Sequence, residues 1–334
     1  MEADSTPPAA RVRTGGLVIS LCGGPLNVPI LHAHAKGPLR LPELRKRIGG
    51  VAQTTLREHT ANLREVGLLA KREDGATSHA VENELTRAGL EVLSAAKVLG
   101  AWLAGAPQGP VNLGSEAAKG AIRALIGGWG STMLRCLAAR PRSLTELDGL
   151  IPDLSYPAIE RRLSAMRAAG QVELSSGGER GRPYAVTEWT RRAVAPLAVA
   201  GRCECQHMER KGEAATPVDI EAAFLLAVPL VKLRGDHKGS CLLAVDTGVA
   251  KSAGTNVAGS KHRLAGVRVA VEDGRVVACA CELERNPCAW ALGTVETWLD
   301  AIIEDQLEGL RTGGEDSDLV HALLADLHRS LFPV

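Results

Sequence analysis

This chain contains part of itself twice. With Leu31 set against Leu134, an offset of 103, "LHAHAKGPLRLPELRKRIGGVAQTTLREHTANLREVGLL" lies over "LRCLAARPRSLTELDGLIPDLSYPAIERRLSAMRAAGQV" without a gap. Pro38 meets Pro141, Leu44 meets Leu147, Ile48 meets Ile151, Leu56 meets Ile159, Leu63 meets Met166 and Gly67 meets Gly170. After a two-residue slip, "LTRAGLEVL" meets "VTEWTRRAV". Identity is modest, but the apolar frame holds throughout, and a duplication is the simplest account. At 334 residues the chain is also too long for one ordinary domain and predicts two or three.

One unit reads as three helices and a hairpin. A helix over Ser131–Ala139 ends before Pro141, and a second starts near Leu144. Ser155 is a good N-cap for the third. Ile159, Leu163 and Met166 recur at i, i+4 and i+7, the spacing of a buried helix face. Gly170 stops that helix, and "QVEL" and "RPYAV" then read as strands joined by "SSGGERG".

This order of elements resembles a winged helix-turn-helix, closest to the HxlR-type transcriptional regulators within the MarR-like group. The residues that carry the resemblance are "GGWGSTMLRCLAARPRSLTEL", "SYPAIERRLSAMRAAGQV" and "YAVTEWTRRAV". The first copy departs further, with Leu26 where the second has Trp129. The resemblance implies two tandem winged helix-turn-helix domains, at residues 23–106 and 115–208, with linkers at 107–114 and 209–216. Residues 1–22 are expected to be a flexible polar tail. In such regulators the helix after the wing pairs two subunits. Here "LTRAGLEVLSAAKVLGAWLAG" and "TEWTRRAVAPLAVAGRCECQHM" would pair within one chain as a pseudo-dimer, or the units simply sit in series.

A recognition helix turns the side opposite its core toward the bases of duplex DNA. At 100° per residue from Ile159, Pro157, Arg161 and Ser164 point outward and Arg162 flanks. Ser155 and Tyr156 stand at the start of the helix, and Arg180 and Arg182 on the wing. Arginine pairs with guanine O6 and N7, and wing arginines meet phosphates or a minor groove. In the first copy the DNA-facing set is Gln53, Thr54, Thr55 and Arg57, with His59 nearby, and Glu58 would repel phosphate. A solvated helix face is the alternative for all of these. Charge favours DNA: residues 1–215 hold 28 Lys+Arg against 21 Asp+Glu, and residues 216–334 hold 11 against 17.

The acidic remainder, residues 217–334, has another texture. "AAFLLAVPLVKL" fits a helix or a buried strand. "GSCLLAVDTGV" and "LAGVRVAVEDGRVVACACEL" read as strands, with a hairpin turn at Asp273-Gly274. "PCAWALGTVETWLDAIIEDQLEGL" and "DSDLVHALLADLHRSLF" read as amphipathic helices. The stretch "LGTVETWLDAIIEDQLEGLRTGGEDSDLVHALLADLHRSLF" resembles the sterol-carrier-protein-like fold. That resemblance implies an apolar tunnel lined by Trp290, Trp298, Leu299, Ile302, Leu307, Leu323 and Leu327. Ordinary core packing fits the same spacing.

Other chemistry is incomplete. Cys203, Cys205 and His207 in "CECQH" lack metal-site spacing and a second pair. Asp246-Thr247-Gly248 resembles an aspartic-protease loop but has no second copy. "GVAKSAGTNVAG" lacks the Walker lysine spacing. His32 and His34 do not chelate readily from one helix. No apolar run has the length of a membrane span, and the first residues are not a signal peptide. The fold class expected is α+β: two tandem winged helix-turn-helix domains followed by an α+β sterol-carrier-like domain. The function expected is a cytoplasmic DNA-binding transcriptional regulator, not an enzyme, without cofactor or metal. Its partners would be duplex DNA and a small apolar effector, as a monomer with an internal pseudo-dimer or as a homodimer. The alternative is a ligand carrier or protein-interaction module whose winged units do not bind DNA.

Overall fold

The computed structural model describes residues 15–72, 81–126, 130–175, 182–208, 216–246, 264–281 and 288–333. The first unit runs α1 (Gly16–Gly23), α2 (Asn27–His34), β1 (Leu39–Arg40), α3 (Leu41–Ile48), α4 (Gln53–Glu65), β2 (Leu69–Arg72), β3 (Glu82–Leu85) and α5 (Arg87–Ala104). The second runs α6 (Glu116–Ile126), α7 (Gly130–Ala138), α8 (Leu144–Leu150), α9 (Tyr156–Ala168), β4 (Val172–Leu174), β5 (Tyr184–Val186), α10 (Glu188–Arg191) and α11 (Val194–His207).

The same local chemistry builds both. Gly67 and Gly170 sit at φ +80° and +74°, the left-handed stop after α4 and α9. Leu68 N donates to Leu63 O at 2.9 Å, and Gln171 N to Met166 O at 2.8 Å. Thr86 and Thr187 cap the next helices, accepting from Gly89 N and Thr190 N. Both hydroxyls also donate back, to Gly67 O at 2.8 Å and to Gly170 O at 2.9 Å. The Leu39–Asn83 pairing of β1 with β3 has its counterpart in the bridge Arg142–Tyr184. Glu43 accepts from Arg40 N at 2.9 Å, and Glu146 from Ser143 N at 2.7 Å, at the starts of α3 and α8.

Four expectations need correction. Residues 16–22, expected in the tail, form α1, where Val18, Ile19 and Cys22 are fully buried. The helix is apolar all round because α5, α6 and α11 all pack on it. The long helix expected after the second wing is broken into α10 and α11. Pro196 has no N–H to carry the ladder back into α10. Ser155 stands at the N-cap of α9 with extended backbone, but its side chain makes no capping bond. The expected linker is packed: Gln108 Nε2 donates to Ala168 O at 2.7 Å.

Helices α5 and α11 lie antiparallel. Trp102 near the end of α5 meets Trp189 on α10, while Glu91 near the start of α5 meets His207 at the end of α11, 3.0 Å away. At the same interface Glu204 is buried and accepts from Gly15 N at 2.7 Å and Val18 N at 2.8 Å. It thereby serves the orphan donors at the start of α1.

The remainder is a five-stranded sheet with three helices: α12 (Pro217–Ala227), β6 (Gly239–Asp246), β7 (Leu264–Glu272), β8 (Arg275–Ala280), β9 (Ala289–Gly293), α13 (Val295–Glu304), β10 (Arg311–Gly314) and α14 (Ser317–Leu331). The strand order is β10-β9-β6-β7-β8, with β6 and β9 parallel and the other pairs antiparallel. The undecided "AAFLLAVPLVKL" is helix α12 followed by a 3-10 turn. Asp273 and Gly274 both have positive φ, 48° and 69°, as a two-residue type I′ turn requires. Residues 289–293, expected in a helix, are strand β9, and helix α13 starts only after Thr294 caps it.

Candidate nucleic-acid interface

Helices α4 and α9 are one construction at two places. Leu56, Thr60 and Leu63 bury one side of α4, and Ile159, Leu163 and Met166 bury the same side of α9. Each large apolar side chain withdrawn from water contributes about 1.5–3 kcal/mol. That burial fixes which residues are left outward.

On α9, Tyr156, Pro157, Arg161 and Ser164 are exposed, as is Ser155 just before it. Arg162 is half-buried and borders a groove between α9 and α6 with Arg123 and Met166. Arg182 is exposed where β5 begins, and Arg180 lies outside the described residues. Arg161, Arg162 and Arg182 have no ion-pair partner among the described residues, so their charge is available to an external anion.

On α4, Gln53, Thr54, Arg57 and Glu58 are exposed and Thr55 is half-buried. His59 is withdrawn from the set, because its Nδ1 pairs with Asn27 Oδ1 at 2.9 Å. The structure adds two residues that sequence reasoning missed. Arg45 and Lys46 are exposed in the last turn of α3, the helix that crosses the backbone in a helix-turn-helix. The run "LRKRI" was their signal. At the equivalent places the second unit has Asp148 and Gly149, while Glu58 is replaced by Arg161. Positive charge thus sits on α3 in the first unit and on α9 in the second.

Residues 21–108 match the model of the HxlR-like helix-turn-helix family. That family implies a DNA-binding transcriptional regulator. The match covers α2 to α5 and falls on the unit with Leu26, not Trp129, at the corresponding place. No curated protein matches the chain. Within the HxlR-like unit, the basic end of α3 and the exposed start of α4 are the surfaces that face a duplex in this motif.

The residues expected to line a tunnel are placed differently from one another. Trp298, Leu323 and Leu327 are buried in the core of the sheet domain, with Trp298 Nε1 donating to Ala244 O at 2.8 Å and Phe224 meeting its ring edge-on. Trp290 packs over Gly313, and Leu307 is partly buried. Leu299 and Ile302 instead border a cavity at the junction with the second unit. The other chemistry considered stays apart. Cys203 is buried, His207 meets Glu91, and His34 is buried with Nδ1 against Ile30 O. Asp246 ends β6, and Thr247, Gly248 and "GVAKSAGTNVAG" lie outside the described residues. Among the described residues no single helix is long and apolar enough to cross a membrane.

Proposed function

We propose that this DNA-binding transcriptional regulator reads duplex DNA with two winged units paired inside one chain. A sterol-carrier-like C-terminal domain then reports a small effector. The observation that carries the reading is Arg161, exposed and without an ion-pair partner among the described residues, on α9, the counterpart of α4 in the HxlR-like unit. The antiparallel packing of α5 on α11 supports the pairing, because a two-fold axis perpendicular to a pair of equivalent helices runs them in opposite directions. The arrangement suits two half-sites about one DNA turn apart. The shared turn, cap and bridge geometry supports the second unit as a copy of the first.

A second reading has one observation in its favour. Glu58 is exposed on α4, where a carboxylate repels phosphate, so the first unit could bind protein. Selection of sites from random duplex DNA separates the two. The wild type is expected to enrich a two-part motif, and the Arg161→Ala/Arg180→Ala/Arg182→Ala variant to lose one part of it. Absence of enrichment at low salt, with folded protein, would overturn the DNA reading of the second unit.

A further inference from the structure

Helices α7, α10 and α11 of the second unit pack on α12 and α13 of the sheet domain, and a hollow lies within the junction. On one side Arg191 of α10 donates to Leu225 O at 3.0 Å and Leu226 O at 3.1 Å, at the end of α12. On the other, Arg202 of α11 meets Asp300 and Glu304 of α13. Between the clamps lies a cavity of about 110 Å³. Leu134, Leu197, Ala223, Leu226, Leu299 and Ile302 make its wall apolar. At ~10–15 Å³ per water-sized occupant, it takes roughly seven to eleven heavy atoms.

Arg135 of α7 also lines this cavity. It is half-buried and has no hydrogen bond or ion pair among the described residues. The thiols of Cys136 and Cys281 stand beside it, and Glu221 is engaged with Cys281 Sγ at 3.2 Å and with Gly266 N at 3.1 Å. Burial pushes both thiols up, Cys281 to about 12, so neither supplies a counter-charge. A partly desolvated guanidinium beside an apolar wall is costly without an anion. The other charged group on the lining is Asp219, whose Oδ2 already accepts from Thr216 N and Oγ at the start of α12. A second negative group on the ligand would meet that carboxylate.

We propose that the junction cavity binds a small amphipathic monocarboxylate. Its hydrocarbon body fills the space between α11 and α12, and its carboxylate pairs with Arg135. Guanidinium and carboxylate match as a two-bond fork, which an alcohol cannot reproduce. The inference deepens the effector reading and rests on it, but it places the site at the domain junction, where an occupant touches the second unit directly.

Calorimetric titration of the full chain with sodium octanoate and with 1-octanol tests this without DNA. Its failure is therefore distinct from failure of the DNA reading. Octanoate is expected to bind the wild type about tenfold more tightly than octanol. Arg135→Gln should lose that preference while keeping octanol affinity. Ala223→Phe should lose both ligands by filling the cavity, with circular dichroism checking the fold. Ala198→Leu, on the facing helix, repeats the filling test if that variant misfolds. Equal binding of acid and alcohol, unchanged octanoate affinity in Arg135→Gln, retention in the filled variants, or no binding of either probe would each overturn the proposal.

Discussion

Trp102 and Trp189 lie face to face, with ring centroids 4.3 Å apart and planes within 2° of parallel. Each indole N–H donates to the other residue's carbonyl, at 2.8 and 2.7 Å. The two are not counterparts under the repeat: Trp102 corresponds to Cys203 and Trp189 to Ala88. The lock between the units is therefore one-sided, with no matching pair of tryptophans at the aligned positions. Trp102→Ala removes a buried stack and leaves the Trp189 carbonyl without its indole donor, and is expected to cost about 3–5 kcal/mol. The double Trp102→Ala/Trp189→Ala variant should cost clearly less than the sum of the singles. Guanidinium unfolding followed by circular dichroism measures both, and additive losses would show that the rings do not act as a pair.

Arg161 and the pair Arg45 and Lys46 should fail in different ways. Arg161 projects from the outward face of α9, so Arg161→Ala should cost about 1–3 kcal/mol at one position of the selected site and relax the base preference there. Arg45→Ala and Lys46→Ala should weaken all duplexes alike and lower the salt slope by about 1 each. Binding isotherms over a salt series, on the selected site and single-base variants, distinguish them. A uniform loss in Arg161→Ala would reassign that residue to a phosphate.

Much of this was legible in the sequence, for a physical reason. Helices α4 and α9 begin and end 103 residues apart because the same apolar triplet and the same glycine stop define both. The turn at Asp273-Gly274 was legible because only a few residue types accept two positive φ angles. Helix α1 was not, since Ser20 is its one exposed residue and the rest of the sequence is apolar or glycine, which leaves no amphipathic period to find. Strand β9 was hidden by Ala289 and Ala291, which carry no strand preference, and by continuity with α13. Arg135 looked like any helix arginine, because only the packing of α7 toward α12 gives it an apolar neighbourhood.

Glu204 makes the interface between the units sensitive to pH. Burial raises its pKa above the ordinary glutamate value, against the backbone N–H groups of Val18, Gly15 and Leu17 that pull it down. The folded state thus holds the proton more tightly than the unfolded chain. Its contribution is full below the unfolded value and is lost as pH rises through the folded one. Unfolding free energy measured from about pH 4 upward should show that decline, and Glu204→Gln should remove it. Glu146 has the opposite sign and a separate window. Ser143 N–H, Arg140 and the Ser143 hydroxyl hold it down to about 2, so its contribution is full above the ordinary glutamate value and is lost progressively as pH falls from there through about 2.

The junction with the sheet domain should depend on Arg191 far more than on Arg202. The carbonyls of Leu225 and Leu226 belong to the last turn of α12, where the helix gives way to a 3-10 turn and Pro229 has no N–H to offer Leu225. Arg191 serves both from a half-buried position, so Arg191→Met leaves two shielded acceptors without a donor, at about 1–3 kcal/mol. Arg202 meets Asp300 and Glu304 at a more open edge, where such pairs contribute about 0–1 kcal/mol. Hydrogen exchange of the α12 amides reads this directly. Arg191→Met should speed exchange there about tenfold, since 1.4 kcal/mol is a factor of ten, and Arg202→Ala should change it by less than about fivefold. The reverse order would mean that the ion pairs on α13 hold the domain in place and that the α12 carbonyls find water when Arg191 is removed.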